Sequence, residues 1–188
     1  MAKSWLDWFT RNSEGDWDRR AKSTPELPML DPADFDPITG TLPWAKFTTI
    51  LEAERLQFAG ALLVIDLDHR SSQIEALSEE SQKDVLPWLA QSIRQAIRFE
   101  DLVTHLYGYR FAVLLRGAAQ EMAETVAGRI LQSVDDTIFM TNAGISPLGV
   151  AIGGVTFDPL GGHQSDVVEV AFANLDHCGD RDRPIVIS

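Results

Sequence analysis

The chain has 188 residues, of which 45% are hydrophobic and 23% charged, an ordinary composition for a globular protein of one domain. Its net charge of −12 disfavours a broad electrostatic role on nucleic acid or on an anionic membrane. The one cysteine, Cys178, excludes an internal disulfide, and no apolar run approaches the ~20 residues that span a bilayer. The first residues lack the apolar segment of a signal peptide, so we expect a cytoplasmic protein.

Residues 1–33 differ from the remainder of the chain, which we assign to one domain at residues 34–188. Ser4 is a candidate N-cap for a short helix that would place two tryptophans and Phe9 on one side. Three prolines between positions 25 and 32 predict an extended segment after that helix. Two interpretations of this tail stay open: it packs on its own domain, or it docks on a protein partner or a second copy through aromatic anchors. Its acidic residues make anchoring at a membrane surface the least favoured alternative.

The domain proper alternates between helices and strands. Its predicted elements are a helix at 44–57, a strand at 59–68, a helix at 81–99, two strands and a tight turn at 101–115, a helix at 118–134, a strand at 148–157, a helix at 167–177 and a strand at 184–187. Helical spacing predicts these inward-facing residues: Val85, Leu86, Leu89, Ile93, Ile97, Met122, Val126, Ile130 and Leu131. The order of elements favours an α+β fold with a central, mostly antiparallel sheet flanked by helices.

Three short motifs lie at or beside the ends of predicted elements. They are Asp36-Pro37-Ile38-Thr39-Gly40 before the first helix, Ile65-Asp66-Leu67-Asp68-His69 at the end of the first strand, and Tyr107-Gly108-Tyr109-Arg110-Phe111 in the tight turn, with Arg98 and Asp101 just ahead of it. Together they resemble the GGDEF family, the diguanylate cyclases that make cyclic di-GMP. The resemblance covers about residues 34–187 and implies a nucleotide-cyclase-like fold.

The chain departs from the family in the residues that perform catalysis. The family turn reads Gly-Gly-Asp/Glu-Glu-Phe, so Tyr107 stands for its first glycine, and Tyr109 and Arg110 stand for its two acids. The resemblance assigns one metal-holding acid to Asp66 and the other to Tyr109. Because two-metal phosphoryl transfer needs both carboxylates, we predict no catalytic residue, no metal site and no cofactor.

The positions that hold GTP in the family are also changed. Arg70 and Ser71 stand where the family has Phe-Lys, Ile74 and Lys83 stand where it has guanine-reading residues, and the phosphate-holding lysine falls near Gly179. The chain is therefore predicted not to be an enzyme, and residual turnover of GTP is the least favoured alternative.

The product-binding site of the family is retained in the sequence. The resemblance assigns it to Arg98, Asp101 and Arg129, with Arg98 and Asp101 forming the Arg-x-x-Asp motif. Guanidinium groups can hold phosphate or the O6 and N7 atoms of guanine, and a carboxylate can accept hydrogen bonds from guanine N1 and N2. The leading hypothesis is a cyclic di-GMP receptor that signals to a protein partner, with a homodimer crosslinked by ligand as one form of the signal. The plainer alternative is that Arg98 and Asp101 only form an ion pair at a helix end.

A second class of hypothesis is a nucleotide-independent interaction scaffold that uses the tail or the altered turn. For Tyr107 and Tyr109 two interpretations stay open: they fill the vacated nucleotide pocket, or they form an exposed aromatic patch for a partner. His105 is predicted to be a packed or surface histidine rather than a metal ligand, because no cysteine or histidine stands at a metal-binding spacing. Gly153 and Gly154 are predicted to form a bulge rather than a phosphate loop.

Overall fold

A computed structural model describes residues 30–75, 79–137, 139–141, 144–160, 166–178 and 184–188. The predicted helix of the tail and the position near Gly179 lie outside these residues. The helices are α1 (Trp44–Arg55), α2 (Ser72–Glu75), α3 (Glu79–Ala96), α4 (Gln120–Asp135) and α5 (Val167–His177). The strands are β1 (Gly60–Leu67), β2 (Leu102–His105), β3 (Phe111–Arg116), β4 (Phe139–Thr141), β5 (Gly144–Ser146), β6 (Val150–Phe157) and β7 (Ile185–Ile187).

Five strands form one sheet in the order β2-β3-β1-β6-β7. All neighbouring pairs are antiparallel except β6 and β7, which are parallel. The predicted α+β fold with a mostly antiparallel sheet is therefore confirmed. The two short strands β4 and β5 form a separate hairpin that was not predicted, and three-residue strands are too short to give a clear alternation in the sequence.

Helices cover both faces of the sheet. The central strand β1 is therefore buried on both sides. Its residues Leu63 and Ile65 pack in the cluster that contains the inner faces of α3 and α4. Leu62 and Val64 point the other way, into the cluster that contains α1 and α5. Within the described residues, no helix combines the length and apolarity needed to cross a bilayer.

One inward-facing prediction in α4 is wrong. Met122 is 40% exposed, whereas Ala123 and Ala127 are buried together with Val126 and Ile130. Hydrophobicity alone favoured the larger side chain, but the inner face of α4 begins at a small residue because α4 packs closely beside α3.

The predicted bulge at Gly153 and Gly154 is also wrong, since both residues pair with β1 in unbroken register. Their role is close packing. A Cβ at Gly153 would lie 2.1 Å from the backbone nitrogen of Leu175 and 2.5 Å from the carbonyl oxygen of Ala171. The absence of a side chain at this position lets the backbone of α5 rest directly on β6.

Candidate functional site

The register between β1 and β3 sets the first part of the site. Ile65 pairs with Phe111 at the end of the ladder, so the next residue of β1, Asp66, lies opposite Arg110 of the turn before β3. The two side chains come from positions 44 residues apart in the chain and meet at the edge of the sheet. This is the place where the resemblance puts the catalytic metal of a cyclase.

The carboxylate of Asp66 is bound by the guanidinium of Arg110. The Nε of Arg110 donates to Oδ2 of Asp66 at 2.8 Å, and Nη2 donates to the same oxygen. The guanidinium also lies 5.0 Å from the ring centre of Tyr107 and 5.4 Å from that of Phe172, and Nη1 donates to the Tyr107 hydroxyl. The charge of Asp66 is thus balanced inside the protein by a cation that aromatic rings hold in place.

The two tyrosines of the turn differ in their exposure to solvent. Tyr109 is only 9% exposed and belongs to the core on the α3 and α4 side of the sheet. Its hydroxyl donates to the carbonyl oxygen of Ile74 at 3.4 Å. Tyr107 is 61% exposed. Tyr109 is therefore part of the core, and Tyr107 remains at the surface.

The residues at this edge do not fit a catalytic magnesium ion. A metal site of the cyclase type needs two free carboxylates, but Asp66 is bonded to a guanidinium and Tyr109 supplies a buried phenol in place of the second acid. Among the described residues, no group of three or more His, Cys, Asp or Glu side chains is placed to hold a metal.

A glycine shapes the turn itself. Gly108 has φ of +55°, which a residue with a Cβ adopts only with strain. Its carbonyl oxygen lies 2.9 Å from Nε2 of His105, whose ring packs on Phe111 at 5.0 Å between ring centres. His105 is a half-buried packing residue of the hairpin.

The polar side chains of the loop after β1 form hydrogen bonds within the protein. The hydroxyl of Ser71 is fully buried, donates to the carbonyl oxygen of Gly149 at 2.8 Å and accepts from its amide at 2.7 Å. Arg70 donates to Asp68 at 2.7 Å and to Asp135 at 2.9 Å. Sequence reasoning missed these roles because the partners lie 65 and 78 residues away.

The Arg-x-x-Asp motif forms the second part of the site, in the turn between α3 and β2. Asp101 is 3% exposed. Its Oδ2 accepts from the backbone amide of Arg98 at 2.9 Å, and its Oδ1 accepts from the backbone amide of Arg116 at 3.1 Å. Burial raises the pKa of this carboxyl group above its usual value. The ion pair that the plainer interpretation proposed is not the contact between these residues, since the Arg98 side chain lies toward Glu100 and Met122 instead.

The side chain of Arg98 is 53% exposed at the surface. Its Nη2 lies 4.0 Å from the sulfur of Met122, and Nη1 lies 4.0 Å from a carboxylate oxygen of Glu100. Arg129 is exposed on α4, seven residues beyond Met122 and so on the same face of that helix, about 10 Å further along its axis. The structure thus places the two predicted arginines along one surface and turns the predicted carboxylate inward.

A cleft of about 290 Å³ lies behind this turn, between Gly40 and the residues that follow α3. Asp101, Phe99, Arg94 and Phe35 line it. Arg94 donates to the carbonyl oxygen of Gly40, and burial lowers the pKa of its guanidinium. Asp101 therefore borders a mostly apolar cleft, whose lining does not include Arg98.

Comparison with known proteins places these features in context. The model of the family described as "Diguanylate cyclase, GGDEF domain" matches residues 33–182. The structure resembles the diguanylate cyclase SiaD from Pseudomonas aeruginosa, solved in complex with its activator SiaC, with a TM-score of 0.73 and 21% identity over 84% of this chain and 62% of that chain. It also resembles the GGDEF domain of FimX from the same organism, with a TM-score of 0.69 and 22% identity over 82% of this chain and 99% of that chain. The coiled coil and GGDEF domain of DgcB from Caulobacter crescentus, solved in complex with c-di-GMP, match with a TM-score of 0.69 and 20% identity over 83% of this chain and 86% of that chain. At these identities the likeness shows the fold.

Two curated relatives match in sequence. The protein YhcK of Bacillus subtilis is 30% identical over 128 residues, which cover 64% of this chain and 36% of YhcK. The cyclic di-GMP phosphodiesterase NbdA of Pseudomonas aeruginosa is 25% identical over 175 residues, which cover 86% of this chain and 22% of NbdA. The chain therefore spans about a third and a fifth of the lengths of these relatives.

Proposed function

Because the chain belongs to the GGDEF family of diguanylate cyclase domains, we propose that it is a non-catalytic member that binds cyclic di-GMP and passes the signal to a protein partner. The ligand site is the one predicted at Arg98, Asp101 and Arg129. The protein acts in the cytoplasm, requires no cofactor, and has the homodimer crosslinked by ligand as one form of its bound state.

The contact between Asp66 and Arg110 carries the non-catalytic part of the proposal. Phosphoryl transfer between nucleotides needs cations held by carboxylates beside the triphosphate, because the reacting phosphates repel each other and the attacking oxygen. Here the protein's own cation neutralises the carboxylate, and the buried ring of Tyr109 takes the place of the second one. Restoring the pair of acids would require the Arg110 side chain to leave Asp66 and a core side chain to be replaced.

The exposed arginines support the receptor part of the proposal. The guanidinium of Arg98 is accessible and lies beside Met122 of α4. Arg129 is exposed on the face of α4 that carries Met122. Guanidinium groups on one surface can bind the phosphates of a cyclic dinucleotide and stack on its purine faces. DgcB, a neighbour of the same fold, has been solved in complex with c-di-GMP. A protein partner is proposed as the output because SiaD, another neighbour, has been solved with a protein activator.

Isothermal titration calorimetry with cyclic di-GMP tests the proposal directly. Wild-type protein should bind in the low micromolar range, and Arg98→Ala should weaken binding at least tenfold. Arg55→Ala is the control, because it removes one arginine from α1, on the opposite face of the sheet, where the side chain is 21% exposed and paired with Glu52. In parallel, GTP with Mg²⁺ or Mn²⁺ should yield no cyclic product. Absence of heat at high micromolar ligand would reject the receptor, and steady product formation would reject the loss of catalysis.

The surface at Tyr107 favours a second candidate function, an interaction scaffold that needs no nucleotide. Tyr107 is 61% exposed, and Arg110 contacts it through its ring face and its hydroxyl. A tyrosine fixed beside an arginine is typical of the centre of protein interfaces. The two functions differ in one measurement. A scaffold would bind its partner equally with and without cyclic di-GMP and would lose that binding in Tyr107→Ala, whereas a receptor would bind in a ligand-dependent way.

A further inference from the structure

The two acceptor oxygens of Asp101 are both used inside the protein. One accepts from the amide of Arg98 and the other from the amide of Arg116. The amide of Asp101 in turn donates to the carbonyl oxygen of Arg98 at 3.2 Å, which closes the turn after α3. The carboxylate thus ties the start of this turn to the last residue of β3, and the turn is where the side chain of Arg98 begins.

The position of this carboxylate is unsuited to reading a base. To accept from N1 and N2 of guanine, a carboxylate must present two oxygens to an open surface. Asp101 is 3% exposed and lines the cleft near Arg94 and Phe99, whose lining does not include Arg98. Each oxygen keeps a second lone pair, but the carboxylate is too buried for a base to reach it while the turn is closed. Opening the turn would weaken the bonds to the amides of Arg98 and Arg116, which costs free energy.

We propose that Asp101 is a positioning residue in this chain, one that fixes the backbone from which Arg98 reaches the ligand, and that it makes no contact with the guanine base. This inference rests on the proposed function. It adds to that function by stating which groups of the ligand the site binds. The site recognises a cyclic dinucleotide through phosphate, O6 and N7, all of which guanidinium groups can bind. The exocyclic N2 amino group of guanine is not read.

Cyclic di-IMP tests this directly, because hypoxanthine has the O6 and N7 of guanine and lacks only the N2 amino group. The affinity ratio of cyclic di-GMP to cyclic di-IMP is measured by calorimetry for the wild type and for Asp101→Asn. Asparagine has only one acceptor oxygen, so at least one of the two backbone bonds is lost. Asp84→Asn, the same substitution at an exposed site on α3, is the control.

The proposal predicts that Asp101→Asn weakens both ligands by the same factor, so the affinity ratio stays within threefold of the wild-type ratio. It also predicts at least tenfold faster hydrogen exchange, read by NMR, at the amide of Arg98, that of Arg116 or both, with no such change in Asp84→Asn. A ratio that falls more than threefold in Asp101→Asn overturns the proposal, because the carboxylate would then be bonded to N2. Unchanged exchange at both amides overturns it as well.

Two further outcomes are informative. If Asp101→Asn does not fold, the wild-type ratio decides alone, since a bond from N2 to a carboxylate is worth roughly tenfold or more. A wild-type ratio below fivefold then supports the proposal and a larger one overturns it. If neither ligand binds the wild type, the proposed function fails, and amide exchange in Asp101→Asn still decides whether the carboxylate positions the turn.

Discussion

The pairing of Asp66 with Arg110 makes a quantitative prediction about stability. Two unit charges about 4 Å apart attract by about 4 kcal/mol at an effective dielectric constant of 20, and the cost of removing both groups from water offsets much of this. The side chains retain 22% and 27% of their exposure, so they are partly solvated. Two hydrogen bonds to one carboxylate oxygen and two neighbouring rings favour a value above that of a surface pair. We expect a coupling free energy of about 1–2 kcal/mol.

A double-mutant cycle measures this coupling. Asp66→Asn, Arg110→Gln and the double variant keep the approximate shape of the side chains and remove the charges. Their free energies of unfolding are obtained by urea denaturation, and the coupling is the amount by which the two single effects exceed the effect of the double variant. The same cycle on Arg55 and Glu52 provides a control within the chain, because Glu52 is 51% exposed and the pair lies on one helix.

The control pair should show a coupling of about 0.3–0.5 kcal/mol. If the coupling between Asp66 and Arg110 is no larger than that of the control, the guanidinium does not stabilise the edge of the sheet. That result would contradict the proposed role of Arg110 as the cation that balances the charge of Asp66. If the coupling is at least twice the control value, the contact is an organised part of the fold.

Three other predictions concern buried positions. Tyr109→Asp, which restores a family acid in the turn, should lower the free energy of unfolding by about 3–5 kcal/mol because it replaces a core ring by a buried carboxylate; a loss below 1 kcal/mol in urea denaturation contradicts this. Gly153→Ala should cost about 1–3 kcal/mol because α5 must move away, whereas Gly128→Ala, whose new Cβ meets nothing within 4 Å, should be neutral or stabilising; equal thermal midpoints for the two variants would refute the packing argument. Burial raises the pKa of Asp101, so the folded protein holds this proton more tightly than the unfolded chain, and the ionised carboxylate lowers stability at pH above its folded pKa. That penalty is relieved as the pH falls toward 3.8, the ordinary pKa of an aspartate. The unfolding free energy of the wild type minus that of Asp101→Asn should therefore increase when the pH is lowered from 7 to 4.5. A difference that stays constant or decreases contradicts this direction of the pKa shift.

Local pattern was sufficient to predict most of the secondary structure. Helical spacing at Val85, Leu89 and Ile93 and the apolar run of β1 each point to one element, and the structure has both. The errors came from packing between elements. The inward position of Met122 and the bulge at Gly153 were inferred from one segment at a time, but the neighbouring helix decides both.

The candidate site was predictable to a lesser degree. The sequence alone identified the substituted turn and the Arg-x-x-Asp motif, because residue identities at fixed spacing carry that information. It did not reveal that Asp101 bonds to the amide of Arg116, since this requires β2 and β3 to be paired in a known register. The contact between Asp66 and Arg110 follows once β1 and β3 are aligned at Ile65 and Phe111, so a correct register would have predicted it.

The two parts of the site are physically connected by the strand between them. β2 begins directly after Asp101 and ends at His105, two residues before Tyr107, so its four residues separate the parts by about 13 Å. The strand is anchored in its middle, where the buried hydroxyl of Thr104 donates to the carbonyl oxygen of Leu42 at 2.8 Å. Because Asp66 is bonded to Arg110 and Tyr109 is packed in the core, contacts within the protein hold the turn between β2 and β3. Arg98 and Tyr107 thus lie near opposite ends of β2, so this strand joins the proposed nucleotide site to the proposed partner surface.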